Sequence, residues 1–215
     1  MLGRGCCRCS SLPARLPRRG SITRFNTLAS EGSYKAQTFK SSAKGGSESA
    51  RLMYLMSIAS ASRNVLMANA YFVPDKLAID TFVDAARRGV NIEIIVPGRR
   101  IDQQIVRIAS HDKWPELLKA GIRIYEYQPT MFHCKYLIVD NRWVSVGSSN
   151  FDARSFRLNA EANLNVLNPA FAASQTRVFE QDKAKSREVT LDMMKRQPVW
   201  DRILDKAVTP LEPEL

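Results

Sequence analysis

The chain has 215 residues, 45% hydrophobic and 25% charged, the balance of one ordinary globular domain rather than of a disordered or fibrous chain. The longest apolar stretch near the start of the folded part, Leu52 to Ala59, is broken by Tyr54 and Ser57 and is far short of the roughly 20 residues needed to cross a bilayer, so contact with lipid is expected to be peripheral. The formal charge of +11 sits mainly in residues 1–44, with nine Lys or Arg against Glu31 alone; the other 171 residues hold 23 basic and 20 acidic side chains, too even a balance for the dense cationic groove that nucleic acid demands.

Residues 1–44 read as a disordered basic leader, rich in Ser, Gly and Arg. It shares its Arg- and Ser-rich, acid-poor composition with transit peptides but has neither an amphipathic apolar face nor a secretory apolar core. Cys6, Cys7 and Cys9 lack the paired spacing of a zinc site and Cys134 is remote, so neither a metal nor a disulfide framework is assigned.

From residue 45 to about 208 the pattern alternates between helix and strand. Ser47 is placed as the cap of a helix running through Ser62, followed by a strand over Asn64–Ala70 and a helix over Leu77–Arg88 that Gly89 terminates. A buried strand follows at Asn91–Val96. Helical stretches at Ile101–Ser110 and Lys113–Ala120 lead through Gly121 into a strand over Ile122–Tyr127. A hairpin comes next, with arms His133–Val139 and Trp143–Val146 joined at Asp140, Asn141 and Arg142. A strand over Ala162–Leu167 and a helix over Pro169–Lys185 complete a layered α/β/α domain with a mixed central sheet, and residues 209–215 read as a tail.

The hairpin carries the chemistry. His133, Lys135 and Asp140 form the pattern HxKxxxxD, and Gly147, Ser148, Ser149 and Asn150 follow as GSxN. On a strand, residues two apart share a face, so His133 and Lys135 would project together and Cys134 would turn into the packing as a small core residue. Ser148 and Asn150 add a hydroxyl and an amide to the same surface. A phosphodiester needs a nucleophile, fixed donors for its non-bridging oxygens and an acid for the leaving alkoxide. His133 fits the nucleophile, Lys135, Ser148 and Asn150 fit the phosphate-binding donors, and Glu161, 28 residues downstream of His133, is the candidate to orient the imidazole. A chance pattern is the poorer account of so many placed residues.

These positions resemble the HKD signature of the phospholipase D superfamily. The flanks Tyr71–Asp75 (YFVPD), Ile124–Pro129 (IYEYQP), Gly147–Phe151 (GSSNF), Arg154–Asn159 (RSFRLN) and Glu161–Asn165 are similar to the second half of bacterial cardiolipin synthases, over about residues 40 to 205. The resemblance implies a phospholipase D-like fold and a cofactor-free, metal-free two-step transfer through a phosphohistidine. It implies phosphatidylglycerol as donor and acceptor, Glu161 supporting the histidine, a mainly structural part for Asp140 within the catalytic motif, and a peripheral place on the bacterial inner membrane.

One feature departs from that pattern. Two-half members bring two motifs together, and this chain has two histidines, of which His111 lies in His-Asp-Lys-Trp and reads as a surface polar residue near a helix start. A single His133 cannot be nucleophile and leaving-group acid at once. The site is then completed either by a two-fold homodimer or by a second HKD half that this sequence lacks. Hydrolysis of phospholipid or, less favoured by the charge balance, of nucleic acid, and an inactive half-site that binds a partner chain or anionic lipid, are the alternatives. Tyr71, Phe72 and Pro74 read as packing rather than as site residues, and Arg154 and Arg157 are compatible with either a lipid phosphate or plain solvation.

Overall fold

A computed structural model of the chain describes residues 34–42 and 48–195. Its eight strands are β1 (Lys35–Ser41), β2 (Asn64–Asn69), β3 (Asn91–Pro97), β4 (Arg123–Tyr127), β5 (Lys135–Val139), β6 (Trp143–Gly147), β7 (Glu161–Leu167) and β8 (Ser186–Val189). They form one sheet in the order β1-β7-β6-β5-β2-β3-β4-β8. The β2–β3 and β3–β4 pairs are parallel and the others antiparallel, so the sheet is mixed.

The two parallel steps are made by helices α2 (Lys76–Arg87) and α3 (Gln104–Lys119), because parallel neighbours need a crossover. Together with α1 (Ser49–Ala59) they cover one face, where Tyr54, Ile58, Phe82, Trp114 and Leu117 pack on Val65, Met67, Ile92, Ile94 and Leu137. On the other face Ala172 and Phe179 of α5 (Pro169–Lys183) pack on Leu66, Ala68, Ile95, Tyr136 and Ile138. The alternation of one strand serves both layers, which is why β2, β3 and β5 are apolar almost throughout. This is the expected layered α/β/α arrangement.

Local signals account for most element ends. The Asp75 carboxylate accepts from the Ala78 N–H at 2.9 Å and starts α2, while Gly89, at φ 90°, follows its end. Asn168 accepts from the Phe171 N–H at 2.9 Å and Pro169 opens α5. Asp140 and Asn141 have φ of 53° and 54°, both left-handed, which makes the β5–β6 connection the tight turn expected of these residues.

Several expectations are corrected. The stretch read as a leader contains β1, which pairs along its length with β7, and the compact unit begins at Tyr34. Residues 1–33, the Ser47 cap and the proposed boundary at 208 lie outside the described residues. The two helical stretches before Gly121 are one helix: α3 runs through Pro115, because Val106, Ser110, Trp114 and Leu117 bury one continuous stripe that outweighs the lost hydrogen bond. His111 is therefore not near a helix start; it is buried mid-helix, its ring 4.2 Å from Trp114 and its Nε2 3.5 Å from the Glu126 carboxylate. Burial opposes charge on Glu126, but the nearby His111 ring and the hydrogen-bonded Arg107 and Arg187 prevail and hold its carboxyl down at about 2. The short helix α4 (Ala153–Arg157), the edge strand β8 and the helix α6 (Leu191–Lys195) carry no periodicity that the sequence displays.

Candidate active site

Registers locate the site. Asn69 pairs with Lys135, Pro97 with Tyr127 and Gly147 with Asn163, so the loops 70–75, 98–103, 128–134, 148–152 and 158–160 all leave the same end of the sheet. His133, Lys135, Ser148, Asn150 and Glu161 are all at that end. His133 lies in the loop before β5 rather than on the strand, and is exposed; the Lys135 ammonium donates to the His133 carbonyl at 3.3 Å. Lys135 is buried, and burial pulls its amine below the ordinary lysine range against the opposing charge of Glu161.

Because the strand begins only at Lys135, strict alternation does not reach back to Cys134, which is exposed rather than a core residue. Although the residue reaches solvent, partial burial of its thiol and the charge of Asp182 push the thiol up, away from the reactive thiolate.

The GSSN segment is held by a buried amide network that the sequence reading missed. Asn163 Oδ1 accepts from the Ser149 hydroxyl at 2.9 Å, while its Nδ2 donates to Tyr54 Oη at 3.2 Å and to Ser145 Oγ at 3.0 Å. Asn69 Oδ1 accepts from the N–H groups of Tyr71 at 3.2 Å and Phe151 at 3.1 Å. Main-chain bonds from Phe151 to Tyr71 and from Val73 to Phe151 complete the seam between the two loops. For Asn69 the available signal was its place at the end of β2, where ladder pairing stops and a side chain with both donor and acceptor capacity can take over; Asn163, paired on both sides within β7, offered no such signal. Within this frame the Asn150 side-chain oxygen is buried without a hydrogen-bond partner, and no hydrogen bond engages its side-chain nitrogen among the described residues, which leaves the amide uncommitted.

Glu161 is buried at the start of β7, and its carboxylate accepts a short hydrogen bond from the Ser148 hydroxyl. No hydrogen bond joins it to His133 among the described residues, so the expected orienting contact is absent within one chain. Ser148 is thereby tied to Glu161 and, through its Oγ, to the Ala162 N–H at 3.0 Å. A cavity of about 360 Å³ opens beside Glu161, lined by Ser148, Ala160, Ala162 and the end of β1.

Asp140 stands at the opposite end of β5. Its carboxylate accepts from the N–H groups of Ser62, Arg63 and Asn64 and from the Ser62 hydroxyl, at 2.7–3.1 Å, stapling the hairpin turn to the start of β2. At about 3.3 Å per residue it is some 17 Å from Lys135, which excludes contact with the reacting atoms and corrects its placement among the catalytic residues. Slight burial works against its charge, but these donors prevail and hold it below the usual carboxylate range.

Asp152 is a further missed residue. It is buried beside the site, caps α4 by accepting from the Ser155 N–H at 2.7 Å, and is pushed up to about 6 by burial, reinforced by the charge of Glu161. Arg157 is bound by Glu48 at 2.6 Å, and Arg154 is exposed at the same end. No group of His, Cys, Asp and Glu fit to hold a metal occurs among the described residues.

Residues 54–183 match the family described as "Cardiolipin synthase, PLD-like domain". The cardiolipin synthase of Alkalihalophilus pseudofirmus is 33% identical over 163 residues, 76% of this chain and 32% of that protein. The major cardiolipin synthase of Bacillus subtilis is 33% identical over 162 residues, with 75% and 33% covered. The chain thus spans about a third of the length of these curated relatives. Among solved structures, Nuc of Salmonella typhimurium, a phospholipase D family member, superposes with a TM-score of 0.63 at 25% identity, over 74% of this chain and 99% of that one. The phosphatidylserine synthase of Haemophilus influenzae shares the fold, with a TM-score of 0.61 at 16% identity over 85% of this chain and 48% of its own. With His133, Lys135, the GSSN segment and Glu161 gathered at one end of a mixed sheet and more than half its length matched, the chain belongs to the phospholipase D-like domain family of the cardiolipin synthases.

Proposed function

We propose that this domain is a catalytic half of a phosphatidyltransferase of the cardiolipin-synthase type, acting on phosphatidylglycerol through a phosphohistidine. The observation that carries the reading is the gathering of an exposed imidazole, a buried ammonium and an uncommitted amide, from His133, Lys135 and Asn150, at one end of the sheet.

In the first step a nitrogen of His133 forms a bond to phosphorus and the bond from phosphorus to the glycerol oxygen breaks, the glycerol leaving with a proton. In the second step the terminal hydroxyl of another phosphatidylglycerol gives up its proton and attacks, and the P–N bond breaks. Lys135 and Asn150 stabilise the non-bridging oxygens in both steps, as charge and amide donor. No resident metal or other cofactor is required by this scheme.

The proton donor and acceptor of the two steps must be a second group, since His133 is occupied by phosphorus. The chain offers one HKD motif, and His111 is enclosed in the α3–β4 charge cluster with Glu126 and Arg107. We assign that role to a second HKD half, supplied by another copy in a two-fold dimer or by a separate half. No described helix is long and apolar enough to cross a membrane, and the enzyme is proposed to act peripherally at the surface of the bacterial inner membrane.

The test is incubation with phosphatidylglycerol liposomes and analysis of the lipid products, with mass in solution measured alongside. Cardiolipin and glycerol formed by the wild type, and a loss of at least a thousandfold in His133→Ala, are expected. Phosphatidic acid in place of cardiolipin would replace transfer by hydrolysis, and an inert dimer would overturn the reading for two copies of this chain.

A further inference from the structure

Tyr71 follows β2 and lies outside the HKD motif. Its ring stands edge-on to the His133 imidazole, with centroids 5.9 Å apart and planes at 84°. Its hydroxyl donates to Asp102 Oδ2 at 2.6 Å, and the other oxygen of that carboxylate accepts from the Gln103 N–H at 3.1 Å, just before α3. The main chain of Tyr71 is fixed as well: its N–H donates to Asn69 Oδ1 and its carbonyl accepts from the Phe151 N–H at 3.0 Å. One aromatic ring is therefore held by the GSSNF loop at its base and by the β3–α3 loop at its tip.

Little else constrains His133. It lies in the loop ahead of β5, it is exposed, and the carboxylate of Glu161 is engaged by Ser148. An attacking nitrogen must nevertheless be aimed at phosphorus, and an imidazole free to rotate about its χ angles loses rate through misalignment. An edge-to-face aromatic contact selects one ring plane, because the electron-poor edge of one ring meets the electron-rich face of the other.

We propose that Tyr71, buttressed by Asp102, is a positioning residue for His133: the Tyr71 ring sets the plane of the imidazole, and the Asp102 carboxylate sets the Tyr71 ring. The reading rests on His133 being the nucleophile proposed above. Consistent with it, the Asp102 carboxyl lies below its ordinary range; slight burial opposes ionisation, but the Tyr71 hydroxyl, nearby main-chain N–H groups and the charge of His133 outweigh it. Asp102 is thus an anion at the Tyr71 hydroxyl near neutral pH.

The experiment uses the full chain and two variants, Tyr71→Phe and Asp102→Asn. Tyr71→Phe keeps the ring and leaves Asp102 bonded to Gln103, so a role confined to starting α3 is untouched by it. Because the chain has two histidines, isotope-labelled imidazoles give two separable sets of NMR signals, with the buried His111 as internal control. Cross-relaxation between the His133 and Tyr71 rings is expected in the wild type. It should fall by at least half in both variants, with the His133 ring signals shifted and those of His111 unmoved.

In the liposome assay each variant should lower kcat about tenfold with KM within twofold, and the double variant should be no worse than either single one, as for two residues acting through one bond. Unchanged His133 signals in both variants would overturn the proposal, as would wild-type kcat or additive losses. Should the wild-type chain turn nothing over, the transfer reading fails while the ring contact is still decided by NMR.

Discussion

Asp152 shows what a single buried carboxyl does to this site. Burial pushes it up to about 6, so the folded state holds its proton more tightly than the unfolded chain does. The sign follows: folding is favoured by this group below pH about 4, and the advantage is lost as pH rises through about 6, leaving a buried anion at neutral pH. Asn keeps the capping oxygen that accepts from the Ser155 N–H but carries no charge. Asp152→Asn is therefore expected to raise stability at pH 7 by about 1–3 kcal/mol relative to wild type and to cancel the difference at pH 4, as read from urea midpoints at the two pH values. An equal effect at both would sink the assignment. Asp140 is the opposite case at the same scale. Its carboxyl is lowered by four donors, so its contribution is complete above the unfolded value and is lost as pH falls through the folded one.

At the scale of elements, the site depends on how closely β6 approaches β7. Gly147 ends β6, and a Cβ there would collide with the Ala162 carbonyl and the Asn163 side chain, and would lie 2.6 Å from the Asn163 Cα. Two of those obstacles are backbone, which cannot rotate away. Gly147→Ala is expected to destabilise the fold by about 1–3 kcal/mol and to lower turnover at least tenfold, because Asn163 carries Ser149 and with it the GSSN loop. Wild-type turnover and an unchanged thermal midpoint would show that the strands can separate freely. The same pair explains β1: seven of its residues pair with β7, so a segment whose composition reads as leader is ordered by a partner more than a hundred residues away.

For the whole molecule, the question is how one motif completes a two-step transfer. If two copies supply the second half, the active species is a dimer, and specific activity should fall on dilution through the dimer dissociation constant while the fold remains intact. Sedimentation and turnover measured over the same concentration range check this. Activity independent of dilution in a monomer would require the second group to be found within one chain.

Much of this was open to a reading of residues in order. The two periodicities, the helix stop at Gly89, the helix start at Pro169, the turn at Asp140 and Asn141 and the spacing from His133 to Glu161 are local or nearly local, and local backbone chemistry decides them. The family resemblance rests on those same residues. What tertiary structure alone decided is everything set by partners distant in the chain: β1 and β8 as edge strands, α3 running through Pro115, His111 buried with Glu126, Glu161 bonded to Ser148 rather than to His133, and Tyr71 standing between Asp102 and His133. Short edge strands and buried polar pairs have no period of their own; they exist because another part of the chain presents the free N–H, the carboxylate or the apolar face that completes them.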